Sequence, residues 1–495
     1  MKKPLALLPA LLLSAPLLQG CVAAPPTTPQ VKEIAPDTLG LGASAAPQFP
    51  DAWWTAFHDP QVDRLAGQLV AGNPTLAGAI AKIRAAQSDA AAAGAAALPQ
   101  LNLDGQEQRT LFSKDYIIPP PYGGSYRWFG QVEANLSWNL DFWGKQKDLI
   151  AKAGDNANAA LLDAQGARLA LSGAFAQTYI GLYLAYVDGD IADATVAERE
   201  EILKLTQGRF DAGLENASAV EQARALVALA RVDRLRYAAQ RETQIHAIAA
   251  LTGQGAAAYA GFVRPVPDLD AALPLPDRLP ADLLSRRPDI LAARARVDAA
   301  AKGREAAHAD FYPDINLTAA AGFQAIGLSN LLTGNAFTMG IGPAIHLPIF
   351  DAGKIRAQYA GATAALDVAV SDYNGAVLNA VKQTADAMTQ VKSLAAQRAD
   401  QQAALDSATR AFKLAEERYT SGLSDQIPML TAEATLQTAR QQMAGLVAES
   451  AIQRITLLLS VGGGFNPPPA ADAASESKAA DAPNQSKNTT IAKQE

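Results

Sequence analysis

From Lys145 to Ala212, between Gly144 and Gly213, the chain runs without a single proline. Apolar residues recur there three or four apart, as in Leu171, Phe175, Tyr179, Leu182 and Tyr186, which is the helical period and not the strand period. The spacing predicts one uninterrupted helix, roughly 100 Å long at about 1.5 Å per residue. A helix several times the diameter of a small domain cannot lie within one compact core, so a comparably long neighbour must run beside it.

The chain supplies that neighbour by repeating itself. Asn73-Pro74 and Arg287-Pro288 each open a helical stretch that ends at a strand start. These strand starts are Leu98-Pro99-Gln100-Leu101-Asn102-Leu103 and Tyr312-Pro313-Asp314-Ile315-Asn316-Leu317. Both pairs are 214 residues apart. Farther on, Gly144-Lys145 matches Gly353-Lys354, and Arg209-Phe210 with Gly213-Leu214 matches Arg418-Tyr419 with Gly422-Leu423, all 209 residues apart. The shorter offset places a shorter loop between strands and long helix in the second copy. A unit of this size is a duplicated architecture rather than a short solenoid repeat.

Residues 1–20 carry two lysines and then an apolar run from Leu5 to Leu18, interrupted by Pro9 and Pro16. This is a secretory signal, too short to anchor as a membrane span. Cys21 is the only cysteine, so no intrachain disulfide can form. Its place after Leu18-Gln19-Gly20 resembles the bacterial lipobox, in which the cysteine is lipidated; ordinary cleavage near Val22-Ala23-Ala24 is the alternative. Residue 22 is valine rather than the aspartate that signals inner-membrane retention, which implies an outer-membrane destination. Residues 21–50, rich in proline, alanine and threonine, predict an extended tether. No later segment approaches the length of a transmembrane helix. The net charge of −7, with no basic patch, argues against a nucleic-acid partner.

The strands point to a membrane. From Trp128 to Leu140 the even positions are Trp, Gly, Val, Ala, Leu, Trp and Leu, while Gln131, Glu133, Asn135, Ser137 and Asn139 fill the odd ones. The same alternation appears in Ile315, Leu317, Ala319, Ala321 and Phe323, and again from Phe337 to Ile349. Roughly ten residues of alternation with aromatics near the ends suits a membrane barrel strand, although a half-buried soluble sheet gives the same pattern. Each repeat holds two such strands, about 100–112 with 128–141 and 313–324 with 337–349. Four strands cannot close a barrel, and an open edge in lipid leaves backbone groups unpaired. The barrel must be shared between copies.

After the long helix, Ser218-Ala219-Val220-Glu221 has capping-box spacing for a helix to about Leu251. Residues 256–280 link the halves. The second long helix is expected over Lys354–Ser421, with a coiled-coil-like seam of Ile355, Tyr359, Ala362, Leu366, Val370, Tyr373 and Val377. The last helix follows from about Asp425 to Leu459, with Pro428 tolerated in its first turn. The domain plan is thus signal 1–20, tether 21–50, first repeat 51–255, linker 256–280, second repeat 281–465 and a disordered tail 466–495. His58, His246, His308 and His346 match no metal-ligand spacing, and no nucleophile elbow or phosphate loop is present, so neither cofactor nor enzyme is expected. Glu200-Glu201 and Glu416-Glu417 read as solvated helix faces.

Four motifs in order carry a family resemblance. They are Trp53-Trp54 with Phe57 and Asp59-Pro60; Leu140-Asp141-Phe142-Trp143-Gly144-Lys145; Leu283-Leu284-Ser285-Arg286-Arg287-Pro288-Asp289-Ile290; and Ile349-Phe350-Asp351-Ala352-Gly353-Lys354. Over about Asp51–Phe465 the chain resembles the outer-membrane efflux protein family, in its lipoprotein branch of the OprM and NodT type. The resemblance implies a homotrimer whose twelve-stranded outer-membrane β-barrel continues into a long periplasmic α-helical barrel. It also implies a passive exit duct for small toxic compounds, joined by a periplasmic adaptor to an inner-membrane pump of the RND or MFS type. A protein-secretion duct and a non-conducting envelope coiled coil are the alternatives.

By the same resemblance, Gly213-Leu214 and Gly422-Leu423 are adaptor-docking turns, although glycine after a helix is a common cap with no partner at all. Many relatives ring the periplasmic entrance with aspartates just after the second turn, where this chain has Pro428 and Thr431. The entrance is then expected to be narrowed by ion pairs between helix ends, with Arg209, Asp211, Arg418 and Asp425 as the gate candidates.

Overall fold

The computed structural model describes residues 27–43, 49–115, 117–271, 273, 275–280 and 282–466. The signal, Cys21 and residues 467–495 of the tail lie outside the described residues. In chain order the elements are α1 (Pro60–Gly72), α2 (Pro74–Ala96), β1 (Gln100–Leu111), β2 (Tyr126–Asn139), α3 (Lys145–Asp211) and α4 (Ala217–Leu251). The second repeat gives α5 (Leu283–Arg286), α6 (Pro288–Ala309), β3 (Asp314–Ile326), β4 (Phe337–His346), α7 (Lys354–Thr420) and α8 (Gln426–Ser460). No described helix is long and apolar enough to cross a membrane.

The duplication is metrically tight. The long helices α3 and α7 each have 67 residues and the shorter α4 and α8 each have 35. All four map onto their counterparts by the same shift of 209 positions. The compact units do not follow the repeats. One gathers residues 74–167 and 289–379 with the described start of the chain to residue 39; the other gathers 40–73, 168–288 and 380 onward. Each unit therefore takes matching pieces of both repeats.

The first unit contains an antiparallel sheet in the order β1-β2-β3-β4. Its register sets apolar against apolar, as in Leu101 opposite Leu136, Leu136 opposite Ala319 and Ala319 opposite Ile341. The other face pairs Asn102 with Asn135 and Asn139 with Asn316. A strand's period of two is what sends these sets to opposite faces. Leu103, Met339, Ile341 and Ile345 are largely exposed in the single chain.

β4 stops at His346, short of the expected 349, because its partner β3 begins at Asp314, the residue opposite His346. β2 stops at Asn139 because Asp141 turns to cap α3, accepting from the amides of Gln146 (2.9 Å) and Lys147 (2.8 Å). Asp351 does the same for α7, taking the amides of Gly353 and Ile355, and these backbone bonds hold its carboxyl below the usual range.

The expected free tether is fastened over its described part. Asp367 on α7 accepts from the amides of Gln30 (2.8 Å) and Val31 (3.0 Å), and Asn374 accepts from the amide of Ile34 (3.0 Å). Arg294 pairs with Glu33. An extended peptide outside any ladder leaves its backbone donors without partners, and these two helix side chains accept three of them.

The second unit has its core around Trp53, Phe57, Leu65, Phe175, Tyr179, Leu182, Ile248, Ile455 and Leu458. Asp59, the N-cap of α1, also accepts the Tyr179 hydroxyl at 2.6 Å and the Val266 amide at 2.9 Å. Burial and the Asp59 carboxylate push the Tyr179 phenol well up from its ordinary value. The linker is thus bound to the core by its backbone. Buried Arg287 donates to the Ser460 carbonyl (2.8 Å) and to Gln383 (2.9 Å), tying the end of α8 to the start of α6.

Candidate functional site at the helix ends

The ends of α3 and α7, with the starts of α4 and α8, lie together in the second unit. Gly213 and Gly422 both have φ +72°, in the left-handed region that favours glycine. The amides of Leu214 and Leu423 reach back to the carbonyls of Arg209 and Arg418, both at 2.8 Å. Those of Gly213 and Gly422 reach Phe210 and Tyr419. These are Schellman caps. The leucines that follow are 68% and 72% exposed, so the usual apolar contact inside such a cap is missing. A shallow cavity of about 400 Å³ lies beside Leu214, lined by Leu205, Gly208, Arg209 and Ala212.

The cap of α4 is not the expected Ser218. Asn216 holds that place, accepting from the Ala219 amide at 3.0 Å while Ser218 donates to the same side chain at 2.5 Å. Asn216 lies just before the first helical residue, which is where a side-chain oxygen meets the free amides.

Of the gate candidates, Arg209 is engaged most. Its guanidinium lies 4.7 Å from the Tyr419 ring centroid, Nη1 donates to the Tyr419 carbonyl at 3.0 Å, and Nε is 3.9 Å from Glu215. Asp211 accepts from Gln207. Arg418 is exposed, and Asp425 sits at the N-cap of α8 without a side-chain bond to the helix. Arg418 and Asp425 form no ion pair with each other among the described residues. Asp425 stands in the cap position, beyond the turn that closes on the Arg418 carbonyl, so the two share a turn without meeting. Pro428 and Thr431 are exposed, and Thr431 bonds back to the Ile427 carbonyl.

What sequence reasoning missed is a polar junction between α3 and α8. Glu433, with its side chain 1% exposed, takes two hydrogen bonds from Arg199, at 3.1 and 3.3 Å. Glu198 accepts from Arg440 (2.9 Å) and Gln437 (2.7 Å). Deeper in, Thr206 lies 3.2 Å from the Tyr419 hydroxyl and accepts from Gln426 at 2.9 Å, in a cluster with Ile202, Met429 and Leu430. A charged residue interrupting the apolar seam of a long helix was the available signal. Glu200 and Glu201 are exposed, as a solvated helix face should be, and Glu200 pairs there with Arg231 of α4.

A four-stranded sheet with one apolar and one polar face, carried on paired long helices, defines a channel subunit. The outer membrane efflux protein model matches the chain twice, at residues 65–254 and 279–463, and the chain belongs to that family. It is 35% identical to the fusaric acid resistance protein FusA of Burkholderia cepacia over 359 residues, covering 70% of this chain and 67% of the relative. It is 29% identical to the multidrug resistance outer membrane protein MdtP of Escherichia coli, over 94% of this chain and 97% of the relative. The crystal structure of the outer membrane protein VceC of Vibrio cholerae superposes with a TM-score of 0.79 at 31% identity, covering 84% of this chain and all of that one. The protein is an outer-membrane efflux channel, and its relatives are transporters rather than enzymes.

Proposed function

We propose that three copies of this chain form the exit duct of a tripartite efflux system for small toxic compounds. Each copy contributes four strands to a twelve-stranded barrel and four helices to the periplasmic tunnel. A periplasmic adaptor docks at Gly213-Leu214 and Gly422-Leu423, an inner-membrane pump of the RND or MFS type supplies the energy, and Cys21 carries the lipid. The sheet is the observation that carries this assembly: apolar on one face and polar on the other, it ends in two edge strands, β1 and β4, that find no further strand among the described residues. An unpaired edge in hydrocarbon costs several kcal/mol per backbone group, so copies must close it. Names of relatives such as FusA and MdtP support small toxic molecules as the cargo class.

The test joins mass and conductance. Purified protein in detergent should have the mass of three chains, insert into planar bilayers as discrete ion-conducting steps, and restore resistance to small toxic compounds in a host lacking its own copy. A folded monomer without conductance would refute the duct.

A further inference from the structure

The loop between β3 and β4, Gly327 to Ala336, contains three leucines and no charged side chain, whereas the loop between β1 and β2 carries Lys114 and Asp115. The β3-β4 loop does not stand clear of the sheet. Its Leu331 lies against Gly130 of β2, where a side chain would begin 3.0 Å from Leu331 Cδ2, and this leucine is only 8% exposed. Gly130 falls on the apolar face of β2, between Trp128 and Val132, and is the one position of that alternation without a side chain. The gap is the seat for Leu331. The Gly327 amide donates to the Trp128 carbonyl at 2.7 Å and the Leu331 amide to the Leu328 carbonyl at 3.2 Å, so the loop is fastened to β2 and folded on itself.

Leu328 and Leu332, to either side of the seated residue, are 58% and 77% exposed. Bare leucines beside a seated one make an apolar surface that needs a cover. Their place in the sheet says what the cover is. β2 is paired on both sides within the chain, so the seat lies at neither edge that another copy would close. From Trp128 to Trp138 the strand rises about 33 Å, or about 23 Å across a bilayer at a tilt of about 45°, close to the height of the apolar band of a membrane barrel. Trp128 ends that band, and Glu107 and Arg109 of β1, opposite Gly130 and Trp128, bring charge onto the face at the same level. The loop therefore sits where headgroups meet acyl chains. At that depth its backbone groups outside the ladder keep water while leucines reach hydrocarbon.

We propose that the β3-β4 loop is a lipid-seated flap: Leu331 pins it to Gly130, and Leu328 and Leu332 enter the acyl chains of the surrounding leaflet. The proposal rests on the reading above that the apolar face of the sheet meets lipid. The flap fixes the depth of the barrel by contacts made outside the strands.

The experiment uses the full-length protein with a bimane label on Leu332→Cys, reconstituted in phosphatidylcholine vesicles. Fluorescence is quenched either by phosphatidylcholine spin-labelled along its acyl chain or by aqueous iodide. Leu136→Cys on the apolar face and Ala320→Cys on the other are the references, and the unsubstituted chain controls for Cys21. The Leu332 label should follow the Leu136 label, with lipid quenching at least threefold that of the Ala320 label. Gly130→Val should unseat Leu331 and cut lipid quenching at Leu332 at least twofold while leaving Leu136 unchanged; Ala134→Val, on the same face, should do neither. Iodide quenching at Leu332 beside lipid quenching at Leu136 overturns the flap alone. Shielding of Leu332 from both quenchers shows a protein cover and overturns it equally. An unmoved Leu332 signal in Gly130→Val overturns the seat. Absence of lipid quenching at Leu136 overturns the reading of the face, and the flap with it.

Discussion

Arg199 of α3 and Glu433 of α8 stand 234 residues apart in sequence and share two hydrogen bonds, with the carboxylate almost wholly buried. Removing one partner of such a pair leaves a buried charge uncompensated, at about 3–5 kcal/mol, whereas replacing both by apolar groups of similar volume is close to neutral or stabilising. Glu433→Ala should therefore lower the denaturant midpoint of the helical signal clearly. Arg199→Met with Glu433→Leu should recover most of it. Equal loss in the single and double variants would show that the pair contributes nothing of its own.

The turn glycines should be sensitive to any side chain. An L-residue in the left-handed region costs about 1–2 kcal/mol. Gly422→Ala should fray the end of α7, seen as faster amide exchange at Leu423, with the same effect for Gly213→Ala at Leu214. Leu423→Ser, on a largely exposed side chain, should leave stability within about 0.5 kcal/mol. If the turn docks the adaptor, that variant should still lose cross-linking to it.

Asp188 on α3 gives a pH dependence with a definite sign. Burial pushes its carboxyl up to about 6, against the pull of Arg236. A carboxyl whose folded value lies above its unfolded value binds an extra proton in the folded state, so stability rises as pH falls from about 6 towards the unfolded value near 4. Above about 6 the cost of burying the charge is complete. Asp188→Asn should unfold at a higher temperature than wild type at pH 7.5, and the gap should close near pH 4.

The sheet should tolerate charge on one face only. Lysine at Leu136 or Ile345, on the apolar face, should cost about 2–4 kcal/mol if the residue lies near the bilayer midplane. Ala320→Lys, on the face of Asn135 and Gly340, should be far milder. Folding yields into lipid vesicles measure both, and similar yields would argue that neither face meets lipid.

Regular periods made most of this architecture legible. The proline-free run sets α3 to within a residue of its observed end, and the repeated motifs mark both tip turns. What stayed hidden has no local pattern. Asn216 rather than Ser218 caps α4 because the cap precedes the first helical residue, and the capping-box spacing, which only Ser218 and Glu221 satisfy, points two residues too far along. The strap at Gln30–Ile34 looked like solvated tether because its partners, Asp367 and Asn374, are ordinary helix residues more than 330 positions away. For Arg199 and Glu433 a charge interrupting each helix seam is legible, but the pairing, across 234 positions, is not.

The equal lengths of α3 and α7, and of α4 and α8, bear on how such a chain can change over generations. Seven residues added to α3 alone would carry Leu214 about 10 Å past Leu423 at the ordinary rise per residue. The added turns would also have no counterpart on α4. Only matched insertions in all four helices keep both turns level and every apolar stripe in phase. The equal lengths therefore tie the four helices together: a change of reach that keeps the two turns level takes coordinated steps in both repeats.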